Sequence, residues 1–277
     1  MKNKWRFLKI VVTVILFGFL LSFSLKRFSE KPVRKVSVKL LESPGESKVY
    51  FIDEKNVINY MRSATPTGKI GDVDIPTLEK KVRAFPSVDS GNVYLNLNGD
   101  LNVDIKQKIP AFRLRKSNAD FYVDAKGNEF PLSKTYSHPC MLVTGDVARN
   151  EYVELATLIK KINEDKFSRN YFIGISKEGG SYHLLTNDGY YKVEIGTLQN
   201  IDFKVKGFKT FVEKYLVFQN PLKYKKISVR YDNQIVTTLN PAFKESDSII
   251  KEQEEDLSNA PEIERLRALE RAAFRNR

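Results

Sequence analysis

Cysteine and histidine are nearly absent from this sequence. Its 277 residues contain one cysteine, Cys140, and two histidines, His138 and His183. A single cysteine excludes an intramolecular disulfide, and neither histidine has a second histidine or a cysteine at metal-ligand spacing. We therefore expect no bound metal. We interpret Cys140 as a small buried apolar side chain and both histidines as structural.

Sequence motifs for catalysis are also missing. There is no G-x-S-x-G nucleophile turn and no glycine loop of the kind that holds phosphate. The one S-x-x-K motif, at 248–251, lies in a polar tail with nothing to desolvate a lysine base. The sequence therefore predicts that the protein is not an enzyme and binds no cofactor.

One long apolar run is present, at 10–25, and it carries no charge. With its apolar flank it is long enough for a membrane span, so we predict a cytoplasmic N-terminus at 1–9 and a transmembrane anchor at 10–25. A cleaved signal peptide is the alternative, because 22–24 is a small-x-small sequence. Lys26 and Arg27 follow the run at once, as they do behind a retained span, and favour the anchor.

Positive charge dominates the part of the chain before the tail. The net charge is +12, and the residues from 242 onward contribute −2 through 7 basic and 9 acidic side chains, so residues 1–241 carry +14. Such a surface fits anionic lipid or an acidic partner. We expect no nucleic acid as partner, because the sequence has no arginine-rich helix, zinc motif or aromatic RNA-binding stripe.

Residues 34–107 show strand and helix signals in the order strand, helix, helix, strand, strand. Asp53 stands where its carboxylate would cap the first helix, and the second helix is predicted to begin near Asp74 or Ile75 with Pro76 in its first turn. An Asn-Gly pair at 98–99 separates two segments of alternating apolar residues, which predicts a β-hairpin. This segment is therefore predicted to be a β-α-α-β-β domain.

Residues 108–240 are richer in strand signals. Alternating or compact apolar segments bounded by turns predict a short hairpin at 119–131, with its turn at 124–128, and strands at 140–144, 171–176, 182–186, 190–195, 224–231 and 234–240. Two amphipathic helices interrupt them, one at about 149–162 and one capped by Asp202 with Tyr215 on its inward side. We predict a mainly antiparallel β-sheet domain with flanking helices, so the fold class of the whole chain is α+β with an N-terminal transmembrane helix.

The segment 241–277 is dense in charge and has little apolar surface to bury. Without a partner we expect it to be disordered or transiently helical.

Four phrases of the sequence, in this order behind an apolar span, resemble the FtsQ/DivIB family of bacterial cell-division proteins. They are FIDEKNVINY at 51–60, DIPTLEKKVRAFPSVDSGNVYLNLNGDLNVDIKQKIPAFRL at 74–114, YVDAKGNEFPL at 122–132 and ISVRYDNQIV at 227–236. The chain departs from the family pattern at Ser228, where the family often has aspartate, and in the tail.

The resemblance implies a non-catalytic scaffold of the divisome. It implies a POTRA domain at 34–107 and a β domain at 108–240, both periplasmic, on a single-pass protein of the bacterial inner membrane at the division septum. It also implies that the protein recruits FtsB-like and FtsL-like single-span coiled-coil proteins, and other divisome proteins through the POTRA domain. The expected mode is strand addition, in which a partner segment pairs with the last strand.

The predicted partner-binding residues follow from this mode: Arg230, Tyr231, Gln234, Ile235, Val236, Thr237, Thr238 and Leu239. The strand at 234–239 contains no proline and no charge, so as an edge strand it would be open to pairing. A structural interpretation stays open, in which Ile235, Val236 and Leu239 are core residues.

A different function class is also possible for a POTRA domain: an envelope adaptor that handles client chains in protein export or outer-membrane assembly. Such proteins continue into many alternating membrane strands. Here about 130 residues follow the module, with helical and polar interruptions, which favours the division protein.

Overall fold

The computed structural model describes residues 2–42, 48–65, 68–243, 249 and 251. Its first helix, α1 (Lys2–Ser29), includes the apolar stretch Trp5–Ser29, whose most apolar window has a mean hydropathy of 2.4. By length and composition α1 is suited to cross a membrane, and a single apolar helix at the N-terminus suggests single-pass anchoring. The predicted tail at 241–277 lies almost wholly outside the described residues.

The chain divides into two compact units, and the first comprises Met1–Ile109 and Phe130–His138. After α1 it contains β1 (Lys35–Leu41), α2 (Glu54–Ser63), α3 (Ile75–Arg83), β2 (Val88–Leu95) and β3 (Asp100–Gln107). The sheet order is β1-β3-β2, with β1 parallel and β2 antiparallel to the central strand β3. The predicted β-α-α-β-β order is confirmed.

Asp53 caps α2 as predicted, and Asp74 is the cap of α3. Asp53 accepts from the Lys55 N–H at 2.9 Å, and Asp74 accepts from the Thr77 N–H at 3.2 Å. Each cap satisfies an amide that the first helical turn leaves without an intrahelical partner. The apolar sides of both helices then close the core of this unit over the sheet, with Val57, Met61, Leu78, Val82, Leu101, Val103 and Ile105 buried.

The second unit comprises Pro110–Glu129 and Pro139–Arg277. The described elements after Ile109 are β4 (Pro110–Arg115), β5 (Asp120–Asp124), β6 (Glu129–Pro131, of which only Glu129 belongs to this unit), β7 (Met141–Gly145), α4 (Tyr152–Glu164), α5 (Lys166–Tyr171), β8 (Phe172–Glu178), β9 (Ser181–Thr186), β10 (Lys192–Gly196), α6 (Ile201–Lys214), β11 (Tyr224–Tyr231) and β12 (Gln234–Leu239). The strands form one sheet in the order β12-β11-β10-β9-β8-β7-β4-β5-β6.

This sheet is mixed. The pairs β4–β5, β8–β9, β9–β10 and β11–β12 are antiparallel, whereas β4–β7, β7–β8 and β10–β11 are parallel. Parallel neighbours need a crossover connection. Helices α4 and α5 form the crossover from β7 to β8, and α6 forms the crossover from β10 to β11, whereas the connection from β4 to β7 contains β5 and β6.

One face of the sheet carries the core of the second unit. Strand register aligns a row of fully buried apolar side chains across six strands: Leu114, Val143, Ile175, Leu184, Val193 and Ile227. The buried sides of the helices belong to the same cluster, including Leu155, Ile159 and Phe208. Burying a side chain of this size contributes about 1.5–3 kcal/mol, so this row and its helices hold the sheet in register.

Two expectations for α6 are wrong. Asp202 does not cap the helix, which begins at Ile201 after Asn200 in a left-handed conformation (φ 53°). Instead, Lys161 donates to Asp202 at 2.6 Å. Tyr215 is exposed rather than inward, because α6 ends at Lys214 and the backbone of Tyr215 leaves the helical conformation.

The contacts of Asp165 in the folded state predict that the free energy of unfolding depends on pH. It accepts from the backbone N–H of Ser168 at 2.8 Å and from Lys209 at 3.0 Å. These bonds to Ser168 and Lys209 lower the pKa of the Asp165 carboxyl to about 2. Since the folded pKa lies below the unfolded value, the carboxylate stabilises the fold above pH 4, and this contribution is lost as the pH falls from about 4 to 2.

Asp165→Asn keeps a capping side chain but removes this titration. The difference in melting temperature between the unchanged chain and the variant is expected to shrink as the pH falls from 5 to 2. Circular dichroism at a series of pH values measures it, and a difference that stays constant with pH would contradict the assignment.

Candidate partner-binding strand

The predicted partner-binding residues lie at one edge of the nine-stranded sheet. Gln234–Leu239 forms β12, which is the terminal strand in the sheet order and pairs antiparallel with β11. A two-residue turn connects the strands, and its Asn233 has φ 57°, which suits a tight hairpin. In the described part of the chain no other strand pairs with β12, so one side of its backbone lacks ladder partners.

Among the edges of the two sheets, β12 differs in its sequence. The other edge of the large sheet, β6, has three residues and ends in Pro131. In the small sheet, β1 carries Lys35 and Lys39, and β2 carries Asp89. Charges, proline and shortness are the usual protections of an edge against pairing. The six residues of β12 include none of these protections.

The side chains of β12 divide between the core and solvent. Ile235 and Leu239 are half-buried and pack against the core cluster. Val236 is 36% exposed on the opposite face, and Gln234, Thr237 and Thr238 are also exposed. Core packing therefore anchors the strand in the sheet through two residues, so the structural interpretation holds for Ile235 and Leu239 and does not hold for Val236.

Arg230 and Tyr231, at the end of β11, are both exposed and stand next to the turn. The Arg230 guanidinium lies 5.9 Å from the centre of the Tyr231 ring and 4.0 Å from a Glu194 carboxylate oxygen. Lys226 contacts the same carboxylate at 2.8 Å. Burial is the largest single influence on the Glu194 carboxyl and opposes its ionisation, but the hydrogen bond and charge of Lys226 together with the Ser228 hydroxyl lower its pKa overall. Glu194 therefore stays ionised and holds Arg230 beside the hairpin.

Four exposed apolar residues near β12 were missed by the sequence analysis. They lie in the connection between α6 and β11 and are Tyr215, Val217, Phe218 and Leu222. This connection reaches the C-terminal end of β12, because Asn240 donates to the backbone oxygens of Lys223 at 2.8 Å and Leu222 at 3.2 Å. Phe218 is 77% exposed. The apolar Val-Phe pair at 217–218, shortly before Asn220-Pro221 and beyond the end of α6, was the signal that pointed to them.

Sequence expectations for the remaining polar groups have mixed outcomes. Cys140 is half-buried rather than buried, and burial raises the pKa of its thiol to about 11. His138 is buried with its Nδ1 3.1 Å from the Tyr136 hydroxyl, and His183 is buried within β9. In the described ranges, no three or more His, Cys, Asp or Glu side chains are grouped closely enough to hold a metal ion.

A serine, a histidine and a glutamate lie side by side on the sheet face opposite the helices, and these are the residue types of a catalytic triad. Register aligns Ser176, His183 and Glu194 on three neighbouring strands, and all three are buried. Neither the Ser176 hydroxyl nor His183 Nδ1 has a hydrogen-bond partner among the described residues. The row therefore lacks the serine–histidine hydrogen bond that activates a nucleophile.

Residues 109–238 match the family model described as FtsQ/DivIB, C-terminal related, which covers β4 through most of β12. A solved structure, the major extracytoplasmic domain of the trans isomer of the bacterial cell division protein DivIB from Geobacillus stearothermophilus, is similar over 41% of this chain and 98% of that chain, at 11% identity and a TM-score of 0.29. At that TM-score the likeness carries no weight, and no curated protein matches the chain. Over residues 109–238, which span most of its second unit, the chain is similar to the FtsQ/DivIB family.

Proposed function

We propose that this protein is a membrane-anchored, non-catalytic scaffold of bacterial cell division that binds a partner strand along the free edge of β12. The family match over residues 109–238 supports the role in cell division, and that family is one of non-enzymatic division proteins. The observation that carries the binding mode is the edge itself: β12 has one ladder partner and neither charge nor proline to block a second.

The geometry describes what the partner must supply. A strand that pairs with β12 extends the sheet, and its side chains alternate between the two faces. On the core face it would cover half-buried Ile235 and Leu239, and further apolar residues could contact exposed Phe218. On the other face it would meet Val236 and pass near Arg230 and Tyr231, which are residue types that often dominate binding energy.

The proposed partners are FtsB-like and FtsL-like single-span coiled-coil proteins, with other divisome proteins binding the POTRA-type first unit. The proposed location is the inner membrane at the division septum, with α1 as the span and both units in the periplasm. Anchoring all these proteins in one bilayer raises their effective concentration, so a modest strand-pairing affinity suffices for assembly.

A fluorescent fusion of the full chain tests the location. A band at midcell is expected in dividing cells, together with co-purification of an FtsB-like protein from membranes. A variant lacking residues 234–240 is the matched control: it keeps α1 and the first unit, and is expected to lose co-purification. A diffuse envelope signal without an FtsB-like partner would instead favour an export or outer-membrane adaptor.

A further inference from the structure

The end of α1 is docked directly on the first unit. Two contacts define this junction. The Ile70 N–H donates to the Lys31 carbonyl at 2.9 Å, and Gly71 packs against Ser29. A Cβ at position 71 would approach the Ser29 Cβ to 2.8 Å, so only glycine allows the helix this close. The described backbone thus joins the helix to the domain through packed contacts.

The β2–β3 hairpin turn lies at the same end of the unit. Because β1 and β3 are parallel and pair Lys35 with Asp100, both strands begin at the edge next to α1. The Arg34 N–H donates to the carbonyl of Gly99 in the turn at 2.9 Å. Leu97, at the tip of this turn, is 88% exposed, which makes it the most exposed apolar side chain among those described outside α1.

This end of the unit is close to the end of the apolar helix. Leu25 is the last apolar residue of the uncharged run, and α1 continues to Ser29. Four residues of helix rise about 6 Å, and the headgroup layer on each side of a bilayer is about 5–8 Å thick. If α1 spans the membrane, the junction and the hairpin turn lie at headgroup level.

The side chains around the junction are mainly basic. Six exposed basic residues stand against two exposed acidic ones: Lys26, Arg27, Lys31, Arg34, Lys35 and Lys69 against Glu30 and Asp72. Each lysine or arginine close to an anionic bilayer contributes roughly fivefold to its association. A basic surface around an exposed leucine, fixed next to a membrane helix, matches the chemistry of an anionic lipid interface.

We propose that the hairpin turn at 96–99 is a second membrane contact, in which Leu97 enters the headgroup region while Arg34 and Lys69 bind anionic lipid phosphates. The inference rests on the proposed anchoring by α1. It implies that the first unit is held against the bilayer in one orientation, rather than moving freely at the end of a tether.

Fluorescence quenching in nanodiscs tests the contact on the full chain. Cys140→Ser removes the native thiol, and Leu97→Cys or Leu41→Cys then carries an environment-sensitive fluorophore. Leu41 is the matched control, since it is also an exposed leucine but ends β1 about 20 Å farther along the strand. The discs contain phosphatidylcholine with or without phosphatidylglycerol, and a lipid nitroxide is the quencher.

Strong quenching at 97, weak quenching at 41 and an increase at 97 with phosphatidylglycerol are expected. Replacing Arg34 and Lys69 by glutamine should lower the contacting population in anionic discs by about 25-fold. Replacing Lys39 and Lys80 by glutamine, with the same loss of charge elsewhere in the unit, should not. A chain that fails to enter the discs overturns both the anchoring and this contact. Insertion with equal, weak quenching at 97 and 41 overturns the contact alone.

Discussion

Replacing Val236 with proline or lysine is expected to abolish capture of an FtsB-like partner while the chain stays folded. Val236 is in the middle of β12, and its side chain points away from the core. Proline removes an amide donor and lysine places a charge on the edge, and both are devices that block strand addition. About two backbone hydrogen bonds to the partner are lost, and the groups that made them are left without hydrogen bonds. Together this costs about 3 kcal/mol of binding free energy, on the order of a hundredfold in Kd.

The two variants differ in what they risk. Proline can also weaken the pairing of Val236 with Ser228 in β11, whereas lysine leaves the β11–β12 backbone intact. Val236→Thr is the control, because it keeps the β-branched shape without charge, and it should retain capture within about threefold. Surface-immobilised full chain in detergent, titrated with the partner, measures all three. Capture unchanged by Val236→Lys in a folded chain would refute strand addition.

The strand was predictable because its signals are local. An Asp-Asn turn between two segments of alternating residues marks a hairpin, and the structure confirms β11 and β12 at 224–231 and 234–239. The position of β12 at the edge of the sheet could not be predicted from the sequence of the strand itself. That prediction came only from the resemblance to a family, because strand order depends on contacts between residues far apart in sequence.

Elements stabilised by tertiary packing escaped the sequence analysis. Strand β4 was missed, because its alternating pattern rests on only two large apolar residues, Phe112 and Leu114. The Arg113 Nε–H donates to a carboxylate oxygen of Asp120 on the neighbouring strand β5 at 2.8 Å. The short helix α5 was also missed, because six residues give too little periodicity and its stability comes from the Asp165 cap and its packing.

The exposed residues beside β12 show the same limit at the candidate site. A helical repeat placed Tyr215 inward because Phe208 and Phe211 precede it at helical spacing, but the helix ends one residue before it. Where a helix ends is the least certain feature of a periodic pattern. Consequently Tyr215 joins the apolar surface next to the edge instead of the core.

A severe loss of stability is expected from Gly145→Ala. Gly145 ends β7 with φ 104°, a conformation that strains any residue with a Cβ, and an added Cβ would lie 2.4 Å from the backbone oxygen of Lys177 on β8. Because that atom belongs to a paired strand, no side-chain rotation relieves the contact. Backbone strain and forced strand separation together cost about 3–5 kcal/mol, which corresponds to a fall in melting temperature of about 10 °C or more.

Gly180→Ala separates the two contributions. Gly180 also has a positive φ, 80°, but a Cβ there meets nothing within 4 Å, so this control carries only the conformational cost of about 1–2 kcal/mol. The difference between the two variants in thermal scans of the full chain therefore measures how rigidly β7 and β8 are held together. That parallel pair connects the two halves of the nine-stranded sheet. Equal, small shifts for both alanines would mean that the sheet yields at β7–β8, and β12 would then be the edge of a much smaller rigid body.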